Sequence, residues 1–284
     1  MSESLRERLA RLRREDERAS PPPASSVRER LARRAARVPV AIPPERLVQE
    51  GTVLARRTAA ERHGGLVLCD ALSADRALLA REARDERIAD LDPAHALYLD
   101  TETTGLSGGS GTYVWLVGLG AFEAGRFEVW QGFLPEPAQE QALLAHVAER
   151  IRAAAYVVSF FGKSFDRHRL EDKMRMHGIE PPFAEKPHLD LYWPLRRRYR
   201  GHFGDCRLRT LESQLCGVER EDDLPGSFAP AAWFDFLHGR PHRLEGVFQH
   251  NLDDVKSLVT LLAHLGRELP SPSAPRASSE ETLP

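Results

Sequence analysis

The sequence predicts an α/β domain, and three observations predict it. A short apolar strand reads at residues 96–100 (ALYLD). Two longer apolar runs, 113–122 and 126–134, are joined at Glu123–Gly125 as a hairpin is. After them, helical and strand periodicities alternate to residue 265. Residues 139–153 place Leu143, Leu144, Val147 and Ile151 on one helical side. Residues 155–161 form a buried-type strand, 164–177 a helix and 208–215 a short helix. Residues 246–265 form a last helix with Val247, Val255, Leu258, Leu261 and Leu262 as core candidates. Strand, hairpin, helix, strand, helix, helix is an α/β order.

The flanks read differently. Residues 1–40 hold eleven Arg against six acids, in two similar units (SLRERLARLRR and SVRERLARRAAR) separated by SPPPASS, which cannot continue a helix. We expect a basic, mobile arm able to meet nucleic acid or a protein partner, with a solvated tail as the competing reading. Residues 41–95 read as a small lead-in extension packed on the core. Strands are expected at 51–57 and 65–70, and a helix at 71–89 with Leu78 and Leu79 as its apolar contacts. The core domain is expected over 96–266. The Pro/Ser-rich end, 267–284, is expected to be disordered.

Composition excludes several classes. No apolar run approaches the ~20 residues a membrane span needs, and the first residues lack the apolar segment of a secretory signal, so the expectation is a cytoplasmic protein without membrane contact. Three cysteines make no disulfide framework, and Cys206 and Cys216 with His188 and His202 match no zinc-knuckle spacing. The net charge of −2 does not by itself announce a polyanion partner. Leu106–Gly111 (LSGGSG) and Gly162-Lys163-Ser164 resemble nucleotide-binding loops, but the glycine a phosphate loop requires is Val157 here.

Chemistry is carried by carboxylates. Asp100-Thr101-Glu102 ends a strand, so Asp100 and Glu102 project from one face about 7 Å apart. Two such charges beside an apolar sheet are costly, and a divalent cation would turn that cost into a binding site. Taken alone, the pair also reads as an ordinary acidic strand end. Asp166 opens the helix that follows Phe161-Gly162-Lys163-Ser164-Phe165, where an Asp also serves simply as a helix-dipole charge. His250 and Asp254, at i and i+4, share a helical face bordered by Val255 and Leu258, with Asp253 rotated away by about 100°.

The combination is more specific than its parts. YLDTETTGLSGGSGTYVWLVGLG, SFFGKSFDRHRL, CRLRTLE, DLPGSFAPAAWFDFL and HNLDDVKSL resemble the DEDD 3′–5′ exonuclease superfamily, and within it the bacterial YprB-type group of ribonuclease H-like predicted exonucleases, over roughly residues 90–265. The resemblance implies a ribonuclease H-like fold, with a mixed central sheet flanked by helices. It implies that Asp100, Glu102, Asp166 and Asp254 hold two divalent ions, Mg²⁺ or Mn²⁺, and that His250 is the candidate general base. It implies a metal-dependent 3′–5′ exonuclease acting on single-stranded nucleic-acid ends. Two positions depart from the superfamily. The spacing HxxxD puts His250 in the register usually held by Tyr, and Phe161 stands where many relatives carry Asn.

Substrate contacts are expected from Thr103 at the strand end, from Lys163 and Arg167 beside Asp166, and from a basic stretch at 194–203 (PLRRRYRGHF). There Arg197 and Arg198 would meet phosphates, and Tyr199 and Phe203 could stack on bases. The competing functions are a catalytically inactive nucleic-acid-binding module of the same fold and a structure-specific endonuclease.

Overall fold

The computed structural model describes residues 52–58, 60–105, 111–220, 226–240 and 243–267. The expected arm at 1–40, the glycine-rich 106–110 and all but the first residue of the expected tail lie outside the described residues.

The strands, in chain order, are β1 (Thr52–Thr58), β2 (Arg62–His63), β3 (Leu66–Val67), β4 (Ala96–Thr103), β5 (Val114–Glu123), β6 (Arg126–Phe133), β7 (Tyr156–Ser159) and β8 (His188–Asp190). The α-helices are α1 (Arg76–Ala83), α2 (Glu140–Ala153), α3 (Asp166–Met176), α4 (Tyr192–Tyr199), α5 (Leu208–Cys216), α6 (Ala229–Leu237) and α7 (Leu244–Leu265). Six strands form one mixed sheet in the order β1-β6-β5-β4-β7-β8. The β1–β6, β6–β5 and β5–β4 pairs are antiparallel, and β4–β7 and β7–β8 are parallel. The β5–β6 hairpin turns through Ala124 and Gly125, both with positive φ, as a tight two-residue turn requires.

Alternation along β4 feeds two core layers. Leu97 and Leu99 pack with Trp115, Val117 and Val157 under α2, α3 and α6. Ala96 and Tyr98 pack with Tyr156 and Val158 under α1, α4, α5 and most of α7. The expected core residues on 139–153 and 246–265 are all buried, as are Leu78 and Leu79.

The expectations differ from the structure where backbone polar groups find local partners. The strand expected at 65–70 ends at Val67, whose N–H donates to Asp70 (3.2 Å), and residues 68–73 wind into a 3₁₀ turn. The helix expected at 71–89 is only α1. Asp75 caps its start by accepting from the Leu78 N–H (3.0 Å), and Arg84 ends it in left-handed backbone. The strand expected at 155–161 stops at Ser159, because Phe161 takes φ +61° and its N–H turns to Asp190 (2.7 Å). The elements β2, β8, α4 and α6 were not anticipated; β2 and β8 are two and three residues long, too short to show alternation.

One packing feature fixes the functional end of the molecule. Gly118 and Gly120 sit two apart on β5, facing α7. A methyl at Gly118 would lie 2.4 Å from Asn251 Oδ1 and 2.9 Å from Val255, and one at Gly120 would lie 2.7 Å from Val255. Any side chain there would hold α7 off the sheet. The glycines let that helix lie against β5 at the level of Asp100, which pairs in register with Gly118.

Candidate active site

Asp100 and Glu102 lie on β4 just before a register shift between Glu102 and Thr103, a bulge that ends regular pairing with β5. Asp166 opens α3, at the end of the loop that leaves β7. His250 and Asp254 lie one turn apart on α7, Nε2 to Oδ2 3.5 Å. The fold brings these stretches together, as the charges show. Burial raises the Asp100 carboxyl well above the ordinary range, and Asp254, Glu102 and Asp166 push it further. Asp166 is buried and pushed up to about 6, first by burial and then by Asp190 and Asp254, against the pull of its own hydrogen bonds. Four acids from three distant parts of the chain thus share one field.

Each of three carboxylates also has a specific partner. The Asn251 side-chain amide donates to Asp100 Oδ2 (2.7 Å), and Gln131 of β6 orients that amide by donating to Asn251 Oδ1 (2.9 Å). The Thr101 hydroxyl donates to Asp166 Oδ1. Asp254 Oδ1 instead meets a guanidinium, Arg220, at 2.5 Å. Arg220 is nearly buried and also binds Glu212 (2.6 Å), which is fully buried on α5. The Ser257 hydroxyl donates to Glu212 as well, and His63 of β2 contacts Ser257 Oγ at 2.7 Å. Arg220 Nη1 lies 3.5 Å from His250 Nδ1. Asn251, Gln131, Arg220 and Glu212 were all missed by sequence reasoning. Glu212 and Asn251 had a visible signal, as members of the CRLRTLE and HNLDDVKSL phrases.

The remaining candidates are arranged less uniformly. Thr103 is buried and donates its hydroxyl to the Gly105 carbonyl (3.1 Å). The Lys163 amide donates to Asp190 (3.0 Å), and burial lowers the pKa of its half-buried amine. Arg167 is paired with Glu171 (2.6 Å) and lies over the Phe183 ring. Arg197 is hydrogen-bonded to the Glu82 carbonyl of α1, and Arg198 lies over the Tyr199 ring. The stacking role expected for Tyr199 is corrected: its ring is buried, stacked on Phe203 and bonded to His264 (2.7 Å), because helical spacing turns it inward with Leu195.

The donor set fits a divalent cation in kind. All four acids are hard oxygen ligands, and their mutual repulsion is what a cation would relieve. Among the described residues, no three His, Cys, Asp or Glu side chains already close around one point. One oxygen each of Asp100, Asp166 and Asp254 is turned toward its own donor.

A mixed sheet of this order, with acids gathered at the end of its central β4 strand, defines a ribonuclease H-like protein, and the chain belongs to the RNase H superfamily, whose family model matches residues 97–266. Over 192 residues it is 35% identical to the uncharacterized protein YprB of Bacillus subtilis (strain 168), covering 64% of this chain. It spans only 45% of that relative's length. Among solved structures it is similar to the family B DNA polymerase of the archaeon Pyrobaculum calidifontis, with a TM-score of 0.48 and 15% identity over 78% of this chain and 30% of that one. It is also similar to exonuclease I, with a TM-score of 0.33 and 18% identity over 55% of this chain and 44% of that one.

Proposed function

We propose that this chain is a metal-dependent nuclease that hydrolyses phosphodiester bonds, and that it acts as a 3′–5′ exonuclease on single-stranded ends. One observation carries the reading: four acids from three separate stretches meet at the end of β4, where burial and then Asp254, Glu102 and Asp166 raise the Asp100 carboxyl, and burial with Asp190 and Asp254 raises Asp166. A cluster that unfavourable persists where function requires it.

Asp100, Glu102, Asp166 and Asp254 would hold two Mg²⁺ or Mn²⁺ ions, which supply an activated water and charge neutralisation for an in-line displacement. The protein's part is positional. Asn251 holds the Asp100 carboxylate in one orientation, Thr101 does so for Asp166, and the glycines of β5 set the height of α7 above the strand. His250, whose Nε2 lies 3.5 Å from Asp254 Oδ2, would accept a proton in this reading. Thr103, Lys163, Arg167, Arg197 and Arg198 are the proposed substrate contacts, and Arg167 lies nearest Asp166 in sequence. In this reading residues 96–266 carry the chemistry, 41–95 extend the core, 1–40 form an arm for nucleic acid or a partner, 267–284 form a tail, and the protein works in the cytoplasm. No described helix is long and apolar enough to cross a membrane.

A second reading draws on a specific observation. With Arg220 on Asp254, one acid is already neutralised from within, which favours a nucleic-acid-binding module without catalysis. Incubating the full chain with end-labelled single-stranded DNA and RNA, in Mg²⁺, Mn²⁺ or EDTA, separates the two. A metal-dependent mononucleotide ladder from the 3′ end supports the exonuclease. Internal cuts mean an endonuclease, and binding without cleavage in any metal means the inactive module.

A further inference from the structure

We propose that Phe161 and Trp193 form a stacking platform for unpaired nucleobases beside the carboxylate cluster. The inference rests on the nuclease reading and names the form of substrate that site accepts: a strand whose bases are free of a partner.

Both rings are exposed, 41% each, and among the described residues they are the one ring pair in contact (6.1 Å between centroids) with both members exposed. They do not float. Tyr192 packs against both, 4.8 Å from Phe161 and 5.1 Å from Trp193, edge-on to each. Phe160 packs edge-on to Tyr192 from a further side (5.6 Å), and Arg196 lies over the Tyr192 ring while donating to its hydroxyl (2.8 Å). Asp190 ties the two halves together. Its carboxylate accepts from the Phe161 amide (2.7 Å), the Lys163 amide (3.0 Å) and the Tyr192 amide (3.1 Å). Those bonds hold Phe161 at φ +61°, where a bulky side chain is rarely found. A bulky aromatic held in that backbone while leaving its ring in water is the pattern of a functional position, not of a packing one.

The position selects the ligand. Gly162, next to Phe161, runs against Asp166, and a methyl on it would lie 3.0 Å from Asp166 Oδ2. The platform therefore adjoins the acid that opens α3. The cations beside it, Lys163 and Arg196, suit a phosphate backbone, and flat rings suit bases of any sequence. Bases inside a duplex already stack on both faces and have no face to offer.

The test is binding in EDTA, where no metal-dependent cleavage occurs. Of the four tryptophans, Trp115, Trp130 and Trp233 are buried, so a ligand that stacks on Trp193 reports through tryptophan emission. A short single-stranded oligonucleotide is expected to quench the full chain's emission, and a blunt duplex of the same sequence is not. Trp193→Phe should abolish the quench while keeping most of the affinity, and Trp193→Ala and Phe161→Ala should each weaken binding roughly 5- to 150-fold. Both side chains are exposed, so melting temperatures close to that of the unsubstituted protein are expected. The proposal is overturned if Trp193→Ala and Phe161→Ala bind as the unsubstituted protein does. It is equally overturned if duplex quenches as well as single strand, or if no oligonucleotide binds and Trp193→Ala instead changes self-association. A protein that cleaves nothing in any metal but shows the quench would refute the nuclease reading and keep the platform. Cleavage unaffected by either alanine would do the reverse.

Discussion

The two ends of the carboxylate cluster are stabilised by different means. At the β4–α3 end, Asp100 and Asp166 are met by neutral donors, the Asn251 amide and the Thr101 hydroxyl, and both carboxyls are driven up by burial and by neighbouring acids. At the α7 end, Asp254 is met by a full positive charge that also serves the buried Glu212. A neutral donor orients a carboxylate but leaves its charge to be balanced by something else; a guanidinium balances it outright. In the proposed reading the first end leaves its charge for a cation to balance, while at the second Arg220 already balances part of the charge on Asp254. Substitutions of Asp100 or Asp166 should therefore cost activity, and loss of Arg220 at the second end should cost stability.

The largest effect expected is at the first end. Asp100→Asn or Asp166→Asn should reduce metal-dependent cleavage to the EDTA background. Each should leave the melting temperature at neutral pH unchanged or higher, because a repelled charge has been removed. Cleavage that survives both substitutions would assign the activity to another site or a contaminant. At the second end the order reverses. Arg220→Met leaves Glu212 and Asp254 without their counterion, and breaking a buried pair in this way costs about 3–5 kcal/mol, to be read from denaturant unfolding. A loss well under that would mean Arg220 is replaceable by water, and the contrast between the ends would fail. Gly118→Ala tests what holds the ends together. Its methyl would overlap Asn251 and Val255, so α7 must shift; an overpacking cost of ~1–3 kcal/mol is expected, with lowered cleavage because Asn251 and Asp254 move together. Stability lost without any change in cleavage would show that the height of α7 is not critical.

The same contrast explains what was legible in the sequence. Strand alternation was enough to put Asp100 and Glu102 on one face, and helical spacing was enough to pair His250 with Asp254, because both are local periodicities. The amphipathic patterns of α2 and α7 likewise announced their buried faces. The partners were not legible, because each depends on a distant contact. Asn251 is one polar residue within a helix, and only the glycines of β5 reveal what it touches. Glu212 looks like a surface acid on a short helix but is fully buried, and Arg220 follows that helix in a stretch with no period to read. The basic stretch at 194–203 misled for a related reason. Composition advertised Tyr199 as a stacking ring, but position in the helix decides which way a ring faces, and the exposed ring of α4 is Trp193.

The smallest effect expected is a pH dependence in metal-free protein that has opposite signs at two sites. Asp166 moves from 3.8 to about 6 on folding, so its contribution to stability is fully present below about 4 and is lost as pH rises through 6. His188, hydrogen-bonded to Ser159 and buried, moves from 6.5 down to about 3, so its contribution is present above 6.5 and is lost as pH falls toward 3. Between about pH 4 and 6 the two trends oppose each other, and the unsubstituted protein alone shows only their balance. Asp166→Asn should raise the melting temperature by a growing margin across that window and by a constant few degrees above it. His188→Gln should flatten the decline on the acid side. Millimolar Mg²⁺ should then reproduce much of the Asp166→Asn gain in the unsubstituted protein above pH 6 and almost none of it near pH 4, where protonated acids no longer attract the ion. Calorimetric scans with and without Mg²⁺ across this range decide the matter. Equal stabilisation by Mg²⁺ at both ends of the range would mean the ion binds away from these acids.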